Sequence, residues 1–141
     1  MWAFEVPGVI RIHHVGIVVR DAEAAAATYQ SALGLDAVAL EEFRGLGRVV
    51  FLRAGETLLE MIQPLTDNTP WAVALRDRGE GVHHFALEVA DLREAMRVLA
   101  ASGTGFLDAQ PSRAPGNTLS VFLDPAATGG TLIELVQQIQ V

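Results

Sequence analysis

The sequence contains an internal repeat, and the repeat restricts the architecture more than any other feature. Shifting the chain by 70 residues aligns HHVGIVVRDA, residues 13–22, with HHFALEVADL, residues 83–92. TLLEMIQ (57–63) then matches TLIELVQ (131–137) at a shift of 74, so the four extra residues fall in a connecting loop, where insertions cost little. Two matches in the same order indicate a duplicated structural unit.

Each half of the repeat has the pattern of one strand, one helix and three further strands. The HH segments are strand-like, and each precedes a helical pattern that begins at an aspartate cap, over residues 21–33 and 91–101. Aliphatic runs between turn signals predict further strands at about 36–43, 48–53, 57–63, 103–109, 118–123 and 131–137. The sequence therefore predicts an α+β fold, with two tandem βαβββ modules at about 9–66 and 80–141 in a single domain of residues 1–141.

The composition excludes several classes of function. The 141 residues include no cysteine, which rules out thiolate catalysis, disulfides and cysteine-based zinc sites. A formal net charge of −7 argues against nucleic acid as a partner, because phosphates would be repelled over most of the surface. No apolar run is long enough to span a bilayer and the N-terminus lacks a signal-peptide pattern, so we expect a cytoplasmic protein without a membrane partner.

Four polar residues occupy equivalent positions in the two halves and suit a divalent cation. His14 shares a strand face with Gly16, and His84 shares one with Ala86, so each histidine lies on the roomier face of its strand. Glu60 and Glu134 also occupy equivalent positions, each inside an aliphatic strand, where an unpaired carboxylate would be costly. Imidazole and carboxylate together suit Mn, Fe, Co, Ni or Zn, which leaves the metal open. The candidate ligands are His14, Glu60, His84 and Glu134, whereas His13 and His83 are expected to have supporting roles.

The chain resembles the vicinal oxygen chelate superfamily, which includes glyoxalase I, extradiol dioxygenases and the bleomycin resistance proteins. The likeness is carried by IHHVGIVVRD, LLEMIQPL, GEGVHHFALEVADL and GGTLIELVQ, and within the superfamily these stretches most resemble the methylmalonyl-CoA epimerases. The resemblance implies that the two modules form a cupped, mostly antiparallel sheet with a divalent metal in the cup, held by the four residues singled out above. It also implies a homodimer, in which we expect Trp2 and Phe4 to contact the neighbouring chain.

The resemblance further implies an isomerase that removes a proton next to a carbonyl or thioester group. A small substrate, an acyl-CoA in the epimerases, would bind the metal through two oxygens, and the metal would stabilise the enolate. Epimerisation requires a base on each face of the carbon, and Glu134 is implied to be both a ligand and one of these bases.

The chain departs from the epimerase pattern in three loops near the implied active site. The family's EEQG segment, whose second Glu is a base, is replaced by EEFRG, and a count without gaps places Arg44 at that position. Glu41 and Glu42 are the candidate replacements for that base, after a shift of three or two residues. The family's GAHG loop has become RAPGN at residues 113–117, and FLHP has become FLDP at 122–125. The scaffold and the ligands thus match the family, while the groups expected to handle the substrate do not.

Two other functions stay open on the sequence alone. A paralogous lyase, similar to lactoylglutathione lyase, would use the same four ligands on a different substrate. A non-enzymic drug-binding protein is less consistent with the sequence, because the bleomycin resistance proteins generally lack the metal ligands. We expect Trp71, in the segment before the second module, to pack against the core rather than line the pocket.

Overall fold

The computed structural model describes residues 8–140, which leaves Trp2 and Phe4 outside the described residues. Within this range the chain forms eight strands, three α-helices and one short 3-10 helix. In chain order these are β1 (Val9–Val18), α1 (Ala22–Leu33), β2 (Asp36–Phe43), β3 (Gly47–Ala54), β4 (Thr57–Pro64), α2 (Pro70–Arg78), β5 (Gly81–Val89), α3 (Leu92–Ala101), β6 (Ser112–Ala114), β7 (Thr118–Phe122), the 3-10 helix Pro125–Thr128, and β8 (Ile133–Gln138).

The βαβββ order predicted for each half is confirmed, with one strand in the wrong place. The predicted strand at 103–109 is absent from the described residues, and β6 lies at Ser112–Ala114 instead. The segment begins at Gly103, whose φ of 90° turns the chain away from α3, and it retains a single bridge between Phe106 and Leu123. None of the described helices has the length and apolar character needed to cross a bilayer.

The described residues divide into two compact units. We call His14–His84 the first unit, and the described residues up to His13 together with those from Phe85 onward the second unit. The boundary falls inside β1, between His13 and His14, and inside β5, between His84 and Phe85. That the two modules act as one domain stays a prediction.

In the first unit, the strands lie in the order β2-β3-β4-β1 between two helices. Neighbouring strands are antiparallel except β1 and β4, which run parallel. Helix α1 packs on one face through two small residues, over a cluster that comprises Ile17, Val19, Ala22, Ala26, Val50, Leu52 and Met61. Helix α2 packs on the other face, over Val18, Val49, Phe51, Ile62 and Ala74. Trp71 of α2 packs against this second cluster, as predicted.

In the second unit, the strands lie in the order β5-β8-β7-β6, with β5 and β8 parallel and the other neighbours antiparallel. Helix α3 packs over a cluster of Val89, Leu92, Ala95, Val121, Leu123 and Leu135. The parallel pair in each unit joins the strand that carries a histidine pair to the strand that carries a buried glutamate. In each unit, the buried glutamate therefore lies on the strand next to one that carries a histidine pair.

Helices α1 and α3 begin in the same way. The carboxylate of Asp21 accepts a hydrogen bond of 3.0 Å from the backbone N–H of Ala24, and that of Asp91 accepts one of 3.1 Å from Glu94. Each aspartate satisfies a backbone donor that the helix cannot. The duplication therefore extends to the helix caps.

Candidate metal centre

The register of β1 and β4 places Glu60 beside the smallest residue of the histidine strand. Glu60 is aligned with Gly16 on one side and with Phe51 of β3 on the other. The side chain is almost wholly removed from solvent, since Glu60 is 2 % exposed. A carboxylate buried to this degree requires a cation or hydrogen-bond donors.

A ring nitrogen of His14 approaches the carboxylate of Glu60. Glu60 Oε2 lies 2.9 Å from His14 Nδ1. Although that distance suits a hydrogen bond, the oxygen has no aligned donor among the described residues. Because no donor is aligned with this buried oxygen of Glu60, the oxygen is able to accept a cation.

His14 and His84 approach each other through their Nε2 atoms. These two nitrogens are 3.2 Å apart, and the rings meet edge to face at 87°. Both residues are buried, at 3 % and 5 % exposure. The far side of the His84 ring contacts His83, with the two Nδ1 atoms 2.8 Å apart.

The donor set fits a divalent transition metal. Two imidazole nitrogens bound to one cation at roughly 2.0–2.1 Å lie about 2.8–3.4 Å apart when the angle between the bonds is about 90–110°. The observed separation of 3.2 Å falls within that range. His14 and His84, both in the first unit, thus bring two imidazole nitrogens close together, while Glu60 lies against the other nitrogen of the His14 ring. Imidazole together with carboxylate is a set that Zn, Fe, Co, Ni and Mn accept.

In the second unit, Glu134 occupies the position that corresponds to Glu60. It is aligned with Ala86 of β5 and with Phe122 of β7, as Glu60 is aligned with a glycine and a phenylalanine. Glu134 is also buried, at 4 % exposure. The sequence equivalence of the two acids is therefore an equivalence of strand register as well.

The two candidate bases of β2 lie on opposite faces of the sheet. Glu41 is aligned with Val49, which is aligned through Ile62 with Val18, so Glu41 is on the face of β1 that carries His14. Residues aligned on neighbouring strands share a face. Glu41 is half-buried there.

Glu42 points to the α1 side. It is aligned with Arg48, whose guanidinium lies 3.4 Å from Glu42 Oε2 and 3.2 Å from Glu23 Oε1 of α1. Glu42 is exposed, and its ion pair with Arg48 lies on the protein surface. The structure therefore brings Glu41, and not Glu42, to the face of Glu60.

Arg44 is not on the strand at all. It lies in the turn between β2 and β3 with a φ of 51°, and its guanidinium stacks on the ring of Phe43 at 5.2 Å. Arg44 is therefore not in the paired part of β2 that is in register with β3.

The altered loop at 113–117 is held by a residue of β8. Gln138 Nε2 donates to the carbonyl oxygens of Gly116 and Asn117, at 3.1 Å each. Its Oε1 lies 3.3 Å from His13 Nε2. Asn117, at φ 57°, adds a hydrogen bond of 3.3 Å to the carbonyl of Ile139. His13, expected to have a supporting role, is thus in contact with the residue that fixes this loop.

The other altered position, Asp124, has a local structural role. Its carboxylate accepts a 3.0 Å hydrogen bond from the backbone N–H of Ala126 and so caps the 3-10 helix. The aspartate of FLDP is therefore accounted for by the turn that follows it.

The sequence did not show what two residues, Gln138 and Gly16, contact. Gln138 is not part of a motif. Its position at the end of the repeated strand was the only feature of the sequence that could have indicated a role for it. Gly16 was noted as leaving room on its face, but the occupant of that room, the ring of His84, is 68 residues away in the chain and belongs to another strand.

Comparison with known proteins identifies the family. The model of the glyoxalase/bleomycin resistance protein/dioxygenase superfamily matches residues 13–122. An ethylmalonyl-CoA/methylmalonyl-CoA epimerase from Cereibacter sphaeroides is 34% identical over 130 residues, which cover 90% of this chain and 97% of that protein.

Solved structures give the same result. Methylmalonyl-CoA epimerase from Mycobacterium tuberculosis matches with a TM-score of 0.90 at 28% identity, over 98% of this chain and 94% of that chain. A variant of the Streptomyces coelicolor methylmalonyl-CoA epimerase, in complex with 2-nitronate-propionyl-CoA, matches with a TM-score of 0.88 at 26% identity, over 94% of this chain and 100% of that one. These matches confirm the predicted fold class. The chain belongs to the glyoxalase/bleomycin resistance protein/dioxygenase superfamily, and its relatives within it include methylmalonyl-CoA epimerases.

Proposed function

We propose that this protein is a divalent-metal-dependent isomerase that moves a proton at the carbon next to the thioester of an acyl-CoA, as in methylmalonyl-CoA epimerases. The observation that carries the proposal is the pair of buried Nε2 atoms of His14 and His84, 3.2 Å apart, with the carboxylate of Glu60 against the His14 ring. The similarity to epimerases over nine-tenths of the chain supports the substrate class.

The proposed ligands are His14, Glu60, His84 and Glu134. The first three lie in one unit, and the fourth is assigned because its strand register repeats that of Glu60. Cobalt, manganese, nickel, zinc and iron all accept such a set. When bound, the cation would act as a Lewis acid that stabilises negative charge on the carbonyl oxygen of the substrate.

The proposed bases are Glu134 and Glu41. A carboxylate that removes the α-proton from one face must be matched by an acid that returns a proton to the other face, since inversion otherwise does not occur. Glu41 is preferred to Glu42 because it lies on the face of β2 that corresponds to Glu60, whereas Glu42 is paired with Arg48 on the α1 side. Each cycle then leaves one carboxylate protonated and the other ionised, and the roles exchange for the reverse reaction.

The experiment that tests the proposal follows the α-proton of methylmalonyl-CoA by NMR in D₂O, with the Co²⁺-loaded protein. We expect rapid exchange with inversion, loss of both on chelation, and loss of both in Glu134→Gln. Exchange without inversion would indicate a single working base and a related lyase or isomerase. No exchange with the metal bound would refute the assignment.

We further propose that the protein is a cytoplasmic homodimer whose ligand is a small acyl-CoA. The Streptomyces coelicolor relative was solved with a CoA derivative, which supports the ligand class. Light scattering tests the oligomeric state, and we expect a mass of twice the 15.1 kDa of the chain. A mass equal to that of one chain would contradict the dimer.

A further inference from the structure

The ring of His84 occupies space that exists only because residue 16 has no side chain. A Cβ atom added to Gly16 would lie 2.7 Å from His84 Nδ1 and 2.8 Å from His84 Nε2, and closer still to Cε1. Gly16 is in the interior of β1 and is not among the glycines with positive φ, so its backbone does not require glycine. The requirement is therefore steric and comes from one imidazole.

The other side of the same ring is in contact with a second histidine. His83 Nδ1 and His84 Nδ1 are 2.8 Å apart, and the two rings are perpendicular, at 89°. A bond between two imidazole nitrogens requires that one carries the proton and the other accepts it. If His84 offers the Nε2 lone pair to a cation, its proton must be on Nδ1, and His83 Nδ1 is then the acceptor. Metal-bound histidines generally donate their other N–H in this way.

We propose that Gly16 and His83 are positioning residues for His84, with Gly16 leaving the space for the ring and His83 fixing the tautomer that frees Nε2. The inference rests on the proposed function, because it takes His84 Nε2 to be a metal ligand. An alanine at position 16 would force the ring away from its place, and it could not keep both the 3.2 Å approach to His14 and the 2.8 Å contact with His83.

The binding test is a Co²⁺ titration by calorimetry on the full chain. We expect Gly16→Ala to weaken Co²⁺ binding by about 10- to 100-fold, the usual cost of disturbing a ligand's surroundings. The matched control is Gly47→Ala, whose added Cβ would lie 2.6 Å from the Trp71 ring, away from the histidines. It should disturb packing to a similar degree and leave the affinity within about threefold of the unsubstituted chain. A similar affinity for Gly16→Ala and the unsubstituted chain would overturn the proposal.

The tautomer is tested with two substitutions of His83. His83→Leu removes the acceptor, and we expect a loss of about tenfold in Co²⁺ affinity. His83→Asn places an amide oxygen near the former Nδ1 and should restore most of that affinity. If leucine and asparagine have equal effects, His83 acts through packing alone and its assigned role is wrong.

A metal-free measurement separates this inference from the proposed function. In a urea-unfolding cycle, Gly16→Ala should lower the midpoint in the unsubstituted chain and have much less effect when His84 is already alanine, because the clash is with that ring. Equal shifts in both backgrounds would overturn the contact between Gly16 and His84. Failure of the unsubstituted chain to bind Co²⁺ would instead refute the proposed function, whatever the cycle gives.

Discussion

Glu41 and Glu42 are neighbours in the chain, yet β2 directs them to opposite faces of the sheet. Glu41 is aligned with Val49, on the face of Glu60, and Glu42 is aligned with Arg48 and forms an ion pair with it on the α1 side. Two carboxylates of equal intrinsic chemistry thus acquire different surroundings from strand alternation alone. This pair offers a matched test of the proposed base.

We predict that Glu41→Gln lowers the rate of inversion of methylmalonyl-CoA by about 10²- to 10⁴-fold, the usual contribution of a general base. Glu42→Gln should leave the rate within about twofold, since it removes a surface ion pair of small value. The measurement is the initial rate of inversion under saturating Co²⁺. A larger loss for Glu42→Gln than for Glu41→Gln would reverse the assignment.

The choice between these two residues could not be made from the sequence. The four candidate ligands followed from repeat symmetry, which survives in the sequence, and the strand registers of the two glutamates among them repeat as expected. The face of Glu41 depends on how β2 pairs with β3, and this pairing shifts by one residue between Ala37 and Ala39. A shift of one residue moves every following side chain to the other face, and no residue type signals it.

Among the elements, β4 and β8 each carry, near the end of the strand, a glutamine that holds the start of a helix. Gln63 Oε1 accepts a 3.1 Å hydrogen bond from the backbone N–H of Ala22, and Gln137 Oε1 accepts one of 2.8 Å from Leu92. The backbone N–H groups of the first helical turn have no partner within the helix. The glutamine in both TLLEMIQ and TLIELVQ is thereby explained: it joins β4 to α1 and β8 to α3.

We predict that Gln63→Ala and Gln137→Ala each lower the free energy of unfolding by about 1 kcal/mol, the net value of one hydrogen bond with a partly buried donor. Urea denaturation checks this. Gln30→Ala, on the exposed surface of α1, is the control and should change stability by less than about 0.5 kcal/mol. If these substitutions lower the free energy of unfolding no more than Gln30→Ala does, the two hydrogen bonds do not contribute to stability.

The helices and strands also show which features of the fold the sequence patterns could predict and which they could not. The positions of α1 and α3 followed from their aspartate caps, which are local signals. The misplaced strand at 103–109 had the right composition, but a strand needs a partner along its length, and this segment pairs only at Phe106. Its neighbour β7 pairs instead with Ser112–Ala114. Competition between two segments for one edge is a tertiary effect that composition does not record.

At the scale of the whole molecule, metal binding and folding should be coupled. The buried imidazoles and carboxylate that lie close together in the first unit are costly in the metal-free protein, and a cation that binds only the folded chain stabilises it by mass action. We predict that Co²⁺ at 100 times its dissociation constant raises the free energy of unfolding by about 2.7 kcal/mol. Thermal denaturation with and without a chelator measures the effect.

The same stabilisation should depend on pH. Imidazole binds a cation only when it is deprotonated, so protons compete with the metal for His14 and His84. The difference in melting temperature between the Co²⁺-loaded and metal-free protein should therefore be smaller at about pH 5 than at about pH 8. A difference that does not change with pH would argue against histidine ligands.

The measurement that bears most directly on the central claim is the stoichiometry of tightly bound Co²⁺ in the purified protein and in His84→Ala. We predict one ion per chain in the unsubstituted protein, bound through two imidazole nitrogens, and a loss of tight binding when His84 is replaced. A chain that binds no divalent metal, or binds it equally well without His84, would show that the paired histidines do not form a metal site.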